Sequence, residues 1–253
     1  MFNIFYNECL GFYRNRISVF FILFFIVLLF IVTFYGIIQN EKQIQSQNVA
    51  HSHIRAQWDE MDPSNPHNAA HFGTYAFKPT TILNSLDDGI NSVTGVVLRL
   101  EGHKQNDVAF SEASQSLIIS KFGKFKASLL FQFIIPIFLI FLSFNTYTSE
   151  ISNGRLKLLI IQGNSLLKIV IAKILFLLSL GGGLLLLAIL IQYFFNMIDI
   201  EFDHILRLIV FFCSYLSYYF IIISFTVLLS LIFKNSTSAL SLTIITWLLW
   251  TIF

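Results

Sequence analysis

The stretch Phe20–Phe34, FFILFFIVLLFIVTF, decides the class of fold. It is the centre of a charge-free segment from Ile17 to Asn40, which is longer than the about 20 apolar residues that a helix needs to cross a bilayer. It also exceeds the roughly 7–15 apolar residues of a secretory signal. The segment is therefore predicted to be a retained membrane span.

Four more charge-free stretches follow, at 127–149, 174–198, 208–233 and 235–253. Only 12% of the 253 residues are charged and 56% are apolar, whereas a soluble protein has roughly 25% charged residues. This composition excludes a soluble domain and a disordered chain. A net charge of +2 gives no indication of nucleic-acid binding, and two cysteines in apolar surroundings predict no disulfide framework. We predict an all-α polytopic membrane protein that contacts lipid and no nucleic acid.

The stretches divide the chain into alternating membrane and aqueous segments. The predicted order is an N-terminal segment at 1–16, a first span at 17–38, an outer domain at 39–126, a second span at 127–146, a short helix at 149–163, a third span at 169–195, an outer loop at 196–207, a fourth span at 208–233 and a fifth span at 236–253. The chain is expected to stop within the fifth span, because its ending WLLWTIF has no polar flank.

The distribution of basic residues predicts the orientation. With a cytoplasmic N-terminus, the inner segments hold seven basic and two acidic residues, namely Arg14, Arg16, Arg155, Lys157, Lys168, Lys173 and Lys234 against Glu8 and Glu150. Basic residues in short loops favour the cytoplasmic side. Lys121, Lys124 and Lys126 lie on the outer side and oppose this assignment, but long translocated segments follow the rule poorly. A cytoplasmic N-terminus is predicted.

The predicted outer domain is small and of mixed structure. Apolar residues at helical spacing predict one helix over 41–62 and another over 107–124, with turns at Asp62-Pro63 and Asn65-Pro66 between them. Two histidine pairs have spacings found in zinc or copper sites, namely His51 with His53 and His67 with His71. The alternative is that exposed histidines lie near one another by chance. We expect no tight metal site, and these four residues are the candidate ligands.

The segment after the second span, TYTSEISNGRLKLLIIQGNSLLKIVIAK from Thr146 to Lys173, carries the most specific pattern. Ser149 is a suitable N-cap, and Glu150 in the first turn suits the helix dipole. Gly163-Asn164 ends the predicted amphipathic helix. Such a helix lies at the membrane surface, and we expect Glu150 to be exposed in the free subunit.

Glu150-x-x-x-Gly154-x-Leu156-x-x-Leu159 resembles the E-x-x-x-G-x-L segment after the second span of ABC type-2 export permeases. Arg155 and Gly163 depart from that family pattern. The segment NPHNAAHFGTYAFKP, residues 65–79, is similar to the outer region of a bacterial subfamily with a large first outer loop. That subfamily is related to permeases of gliding motility and of nitrous-oxide-reductase maturation. The resemblance implies six spans, so a sixth span and the end of the fifth are expected to be missing.

The resemblance implies a permease subunit in the bacterial inner membrane that exports a substrate with energy from ATP. The contact set for the ATPase is then Glu150, Gly154, Arg155, Leu156 and Leu159, with Gly154 allowing close approach of the two proteins. The chain has no G-x-x-x-x-G-K-S/T loop, so it is not itself the enzyme. ATP and Mg²⁺ are expected in two copies of a separate ATP-binding subunit. A second permease copy or a sister permease would complete the assembly.

Features inside the spans give weaker predictions. The polar group Ser214, Tyr215, Ser217 and Tyr218 is either a substrate path or a set of hydrogen bonds between helices. Gly181–Gly183 favour close helix packing, and Pro136 favours a kink. The alternative to a permease is a non-transporting scaffold or sensor whose outer domain binds an envelope partner.

Overall fold

The structure, a computed structural model, describes residues 1–103, 125–195, 202–233 and 235–252. The chain forms two compact units. The helical unit comprises Met1–Ile31, Leu130–Ile191 and Glu201–Phe253, and the mixed unit comprises Val32–Leu129 and Gln192–Ile200.

Helices dominate the described residues. In chain order they are α1 (Phe2–Arg14), α2 (Arg16–Asp59), α3 (Pro66–Phe72), α4 (Asn91–Thr94), α5 (Ala127–Leu129), α6 (Ile135–Ser143), α7 (Thr148–Ser152), α8 (Arg155–Ile161), α9 (Leu166–Phe195), α10 (Phe202–Ile232) and α11 (Ser236–Ile252). A 3₁₀ turn covers Ile82–Ser85, and a π-helical turn at Leu130–Ile134 joins α5 to α6. The strands are β1 (Thr74–Phe77) and β2 (Val97–Leu100).

Within the described ranges, four helical stretches are long and apolar enough to cross a membrane: Arg16–Asp59, Ala127–Ser152, Leu166–Phe195 and Phe202–Ile232. Helix α11 adds 17 residues of mostly apolar helix at the predicted fifth span. Each predicted span falls on a helix or helical stretch, and the predicted all-α polytopic class is confirmed.

The structure differs from the predicted segments at two places. The predicted helix over 41–62 is not separate, because α2 continues without a break for 44 residues, from the first predicted span to Asp59. Helix α10 begins at Phe202, inside the predicted outer loop. The predicted helix over 107–124 lies outside the described residues.

The helical unit packs through small residues and aromatic rings. A Cβ atom added at Gly181 would lie 2.8 Å from the Tyr219 ring and 3.1 Å from Leu139, so only glycine lets α9 approach α10 and α6 this closely. Farther along, Ile140, Ile222 and Trp247 form a buried cluster between α6, α10 and α11. The packing role predicted for this glycine run is confirmed at Gly181.

Pro136 is the second residue of α6, which directly follows the π-helical turn. Proline has no N–H, so the Gln132 carbonyl oxygen one turn earlier loses its usual helical donor. The Tyr218 hydroxyl donates to that oxygen at 3.0 Å, and the Tyr219 hydroxyl donates to the Phe131 carbonyl oxygen at 3.2 Å. The disturbed backbone is therefore satisfied by α10, as apolar surroundings require.

The mixed unit is built on a two-stranded antiparallel sheet. Thr74 pairs with Leu100 and Phe77 with Val97. The buried Lys126 ammonium donates to the Asp88 carboxylate at 2.6 Å and to the Asn84 carbonyl oxygen. This pair fastens the start of the helical stretch at 127 to the loop that contains the 3₁₀ turn.

Candidate functional site

The segment between the second and third predicted spans folds as two short helices, α7 and α8, rather than as the single predicted helix over 149–163. Gly154 separates them with a φ of 69°, in the left-handed region that favours glycine. α8 ends at Ile161, and Gln162 is its C-cap. Gly163 follows with a φ of 84°, in agreement with the prediction that Gly163-Asn164 ends the helix. The need for glycine at 154 thus comes from its own backbone conformation.

A group of three charges, two of them buried, holds this segment in place. The Lys173 ammonium donates to Glu150 Oε1 at 3.1 Å and to Glu8 Oε1 at 2.7 Å. Lys173 and Glu150 are each 5% exposed. Lys173 lies in α9, Glu150 in α7 and Glu8 in α1, so one ammonium joins three elements. We call these three residues the charge cluster.

The expectation that Glu150 is exposed in the free subunit is therefore wrong. Lys173 is buried in a mostly apolar helix, and a cation in such surroundings requires a nearby anion. Arg155 adds a weaker contact, with its Nη1 atom 3.8 Å from Glu150 Oε1 and its side chain 68% exposed. Glu150 Oε2 is buried and has no hydrogen-bond partner among the described residues.

Sequence reasoning missed Glu8, Lys173 and the helix that carries Glu8. The available signal was the charge itself: Glu8 is the only acidic residue among the first 40, and Lys173 interrupts an apolar run. Nothing in the sequence pattern indicates that these two residues meet.

The two leucines of the predicted contact set point into the protein. Leu156 and Leu159 pack against a buried cluster of Ile4, Ile169 and Ala172, which joins α8 to α1 and α9. The exposed side of α8 carries Arg155, Leu158 and Ile161, spaced three residues apart, and Leu158 and Ile161 are 60% and 81% exposed. We call these three residues the exposed face of α8. Exposed apolar side chains in a row mark a surface that contacts another protein or the membrane.

A cleft of about 360 Å³ opens beside the charge cluster. Its lining includes Glu8 of α1, Asn15 just after that helix, Ser149 and Glu150 of α7, Arg155 of α8 and Lys173 of α9. The cleft gives the charge cluster an opening to the surface on the side of Arg155.

The candidate substrate-path residues of α10 make hydrogen bonds in two ways. Ser214 and Ser217 donate to carbonyl oxygens of their own helix, at Val210 and Cys213. Tyr215 accepts from the Gln132 side chain at 3.2 Å, and Tyr218 accepts from the Trp247 indole at 3.0 Å. The two tyrosines therefore connect neighbouring helices. A substrate path along these residues stays a prediction.

The candidate metal ligands divide into two groups. His51 and His53 lie on α2, two residues apart, where helical geometry directs side chains to nearly opposite sides. His67 and His71 lie on α3 with Nε2 atoms 3.2 Å apart, and His103, which sequence reasoning did not single out, completes a group of three exposed imidazoles.

The family model for the ABC-2 family transporter protein matches residues 62–253. This range contains the charged segment at Glu150, both short helices and the predicted second to fifth spans. No curated protein and no solved structure matches the chain. Since the match covers well over half of the 253 residues, the chain belongs to the ABC-2 family of transporter proteins.

Proposed function

We propose that this chain is the permease subunit of an ATP-driven exporter, and that α7 and α8 receive the motion of a separate ATP-binding subunit. The observation that carries the proposal is the charge cluster. It joins α7 to α9, which continues as a candidate span, and to α1 through Lys173. A push on this segment therefore moves a membrane helix instead of bending a loop.

The exposed face of α8 supplies the contact surface. Arg155 offers charge, and Leu158 and Ile161 offer apolar area, a combination typical of the centre of protein interfaces. Leu156 and Leu159 lie on the packed side of α8 and hold this helix against α1 and α9. Of the contact set that the resemblance implies, Arg155 then touches the partner, while Glu150, Gly154, Leu156 and Leu159 shape the segment.

The remaining parts of the proposed assembly rest on the family resemblance, and the sequence itself contains no phosphate-binding loop. ATP and Mg²⁺ bind to two copies of the partner subunit, and a second copy of this chain or a sister permease completes the pore. The chain lies in a bacterial inner membrane with its N-terminus in the cytoplasm, in agreement with the basic inner segments. We place it beside the permeases of gliding motility and nitrous-oxide-reductase maturation, on the similarity at residues 65–79.

The test uses two single variants, Leu158→Asp and Ile161→Asp. Each variant and the parent chain are purified from the native membrane. We expect the parent chain to retain a protein that hydrolyses ATP. Each Asp variant should lose that protein, since hot-spot residues contribute about 2 kcal/mol or more to an interface. The readout is ATP hydrolysis per purified permease, together with the amount of permease in the membrane.

Val93→Asp is the matched control, because Val93 is also apolar and 55% exposed but lies on α4 in the mixed unit. It should retain the ATPase. If the parent chain retains none, or if the α8 variants retain as much as Val93→Asp, the coupling proposal fails and a non-transporting scaffold becomes the better hypothesis.

A further inference from the structure

We propose that His67, His71 and His103 form a binding site for one divalent transition-metal ion, with Zn²⁺ as the best-fitting ion. Their ligand nitrogens all lie within 4.8 Å of one another. The ring centroids are 4.7 Å apart for His67 and His71, and 5.4 Å from each of these to His103. His67 and His71 lie on α3, and His103 lies three residues after the end of β2.

Local structure explains why the rings meet. Asn65 accepts a hydrogen bond from the Asn68 N–H at 2.8 Å and caps α3, and Pro66 occupies its first turn. His67 and His71 are four residues apart and so share one face of that helix. Gly73 ends α3 with a φ of 74°, and β1 begins at the next residue.

The sheet then returns the chain to α3. Because Thr74 pairs with Leu100, the residues after β2 lie beside the end of α3. The Gly102 N–H donates to the Ala70 carbonyl oxygen at 3.0 Å, and a Cβ atom at Gly102 would lie only 3.2 Å from that oxygen. His103 follows with a φ of 61°, an uncommon conformation for a residue with a side chain. The backbone thus holds the third ring over the first two.

The distances suit an ion bound by imidazole. Zinc–nitrogen bonds are about 2.0–2.1 Å long, so two nitrogens at a tetrahedral angle lie roughly 3.3 Å apart. The Nε2 atoms of His67 and His71 are 3.2 Å apart. Without an ion, the N–H of one imidazole donates a hydrogen bond to the Nε2 atom of the other. With an ion, both lone pairs bind the metal, and a small rotation of His103 completes the set.

The ligand type defines the class of ion. Neutral imidazole suits zinc, copper and nickel, and it does not select the oxygen-seeking Mg²⁺ or Ca²⁺. Three imidazoles leave one tetrahedral position for water or for a donor from another molecule. A bound ion would also fasten α3 to the end of β2, which adds a cross-link within the mixed unit.

The experiment uses the full chain in detergent, purified with a tag that contains no histidine and stripped with EDTA. Zn²⁺ is titrated by calorimetry, and bound metal is counted by elemental analysis. We expect one ion per chain. His67→Ala, His71→Ala and His103→Ala should each weaken binding by at least about tenfold, since even loss of an outer-shell partner costs roughly 10–100-fold. Millimolar Mg²⁺ should not compete.

His51→Ala with His53→Ala is the matched control, because it removes two exposed histidines of the same unit that lie on α2. It should leave zinc binding unchanged. Amide hydrogen exchange of 66–103 in EDTA should be the same for all variants, which shows that they fold, and zinc should slow it only where the three histidines are intact. The proposal is overturned if the parent binds no zinc, if the triple variant binds as tightly as the parent, or if the His51 and His53 control loses the ion.

Discussion

At the scale of single residues, Lys173 is the group on which the candidate site depends. It pairs with two carboxylates while itself almost fully buried, and one oxygen of Glu150 depends on this ammonium for its shortest contact. A buried ion pair adds little net stability compared with apolar side chains, but removing one partner leaves an uncompensated charge. Glu150→Ala is thus expected to destabilise the folded chain, because Glu150 is buried and not exposed as the sequence predicts.

Lys173→Met should lower the free energy of unfolding by about 3–5 kcal/mol, because it leaves the buried Glu150 and the half-buried Glu8 without their cation. The measurement is chemical denaturation in mixed micelles. Lys168→Met is the matched control, because Lys168 is an exposed lysine five residues earlier on the same helix. If Lys173→Met and Lys168→Met lower the free energy of unfolding equally, the charge cluster stabilises the chain no more than an exposed lysine does.

The residue scale also shows the limit of sequence reasoning. Glu150 was identified because its motif is local, spanning ten residues up to Leu159. Its partner Lys173 lies 23 residues away, and Glu8 lies 165 residues from Lys173. Contacts at such separations depend on how whole helices pack, which one sequence does not encode in a local pattern. His103 was missed for the same reason, because its position follows from the register of two strands.

At the scale of elements, the break between α7 and α8 shapes the proposed contact. It was readable from the sequence, since Asn153-Gly154 is a dipeptide typical of turns. The helical spacing of apolar residues on both sides concealed it. The long apolar helices, by contrast, could be predicted from the sequence, because charge-free apolar runs of about 20 residues have few alternatives to a membrane helix.

Gly154→Ala should lower the free energy of unfolding by about 1–2 kcal/mol, because a left-handed backbone brings a Cβ atom against the following carbonyl oxygen. If α8 shifts in the Gly154→Ala variant, binding of the ATP-binding subunit should also be lost. In Gly11→Ala, the control, the new Cβ atom also meets no atom within 4 Å, but the site is in α1 without a positive φ. That change should be neutral or stabilising. A neutral result at position 154 would mean that the segment adopts another conformation.

At the scale of the whole molecule, the orientation of the chain decides whether α8 can meet an ATP-binding protein. One of the three lysines that oppose the predicted orientation is accounted for, since Lys126 is paired with Asp88. Its charge is therefore largely neutralised within the mixed unit.

A cysteine at Ser64, in the exposed turn before α3, should react with a membrane-impermeant thiol reagent in intact cells. A cysteine at Ser152, exposed at the end of α7, should react only after the cells are opened. Both variants need a background in which Cys9 and Cys213 are replaced by Ala. Ser85 is unsuitable as a probe, because it is fully buried. The reverse pattern of labelling would place α7 and α8 outside the cell and remove the coupling proposal.

The distance along the chain between Glu8 and Lys173 has a consequence for biosynthesis. Ribosomes add about 5–20 residues per second, so the 165 residues between them take roughly 8–33 seconds to make. During that time Glu8 has no Lys173 to pair with, while two candidate spans and residues 32–129 of the mixed unit are made. Glu150, by contrast, precedes Lys173 by only 23 residues. The helix that carries Glu8 is therefore made well before the lysine that pairs with it.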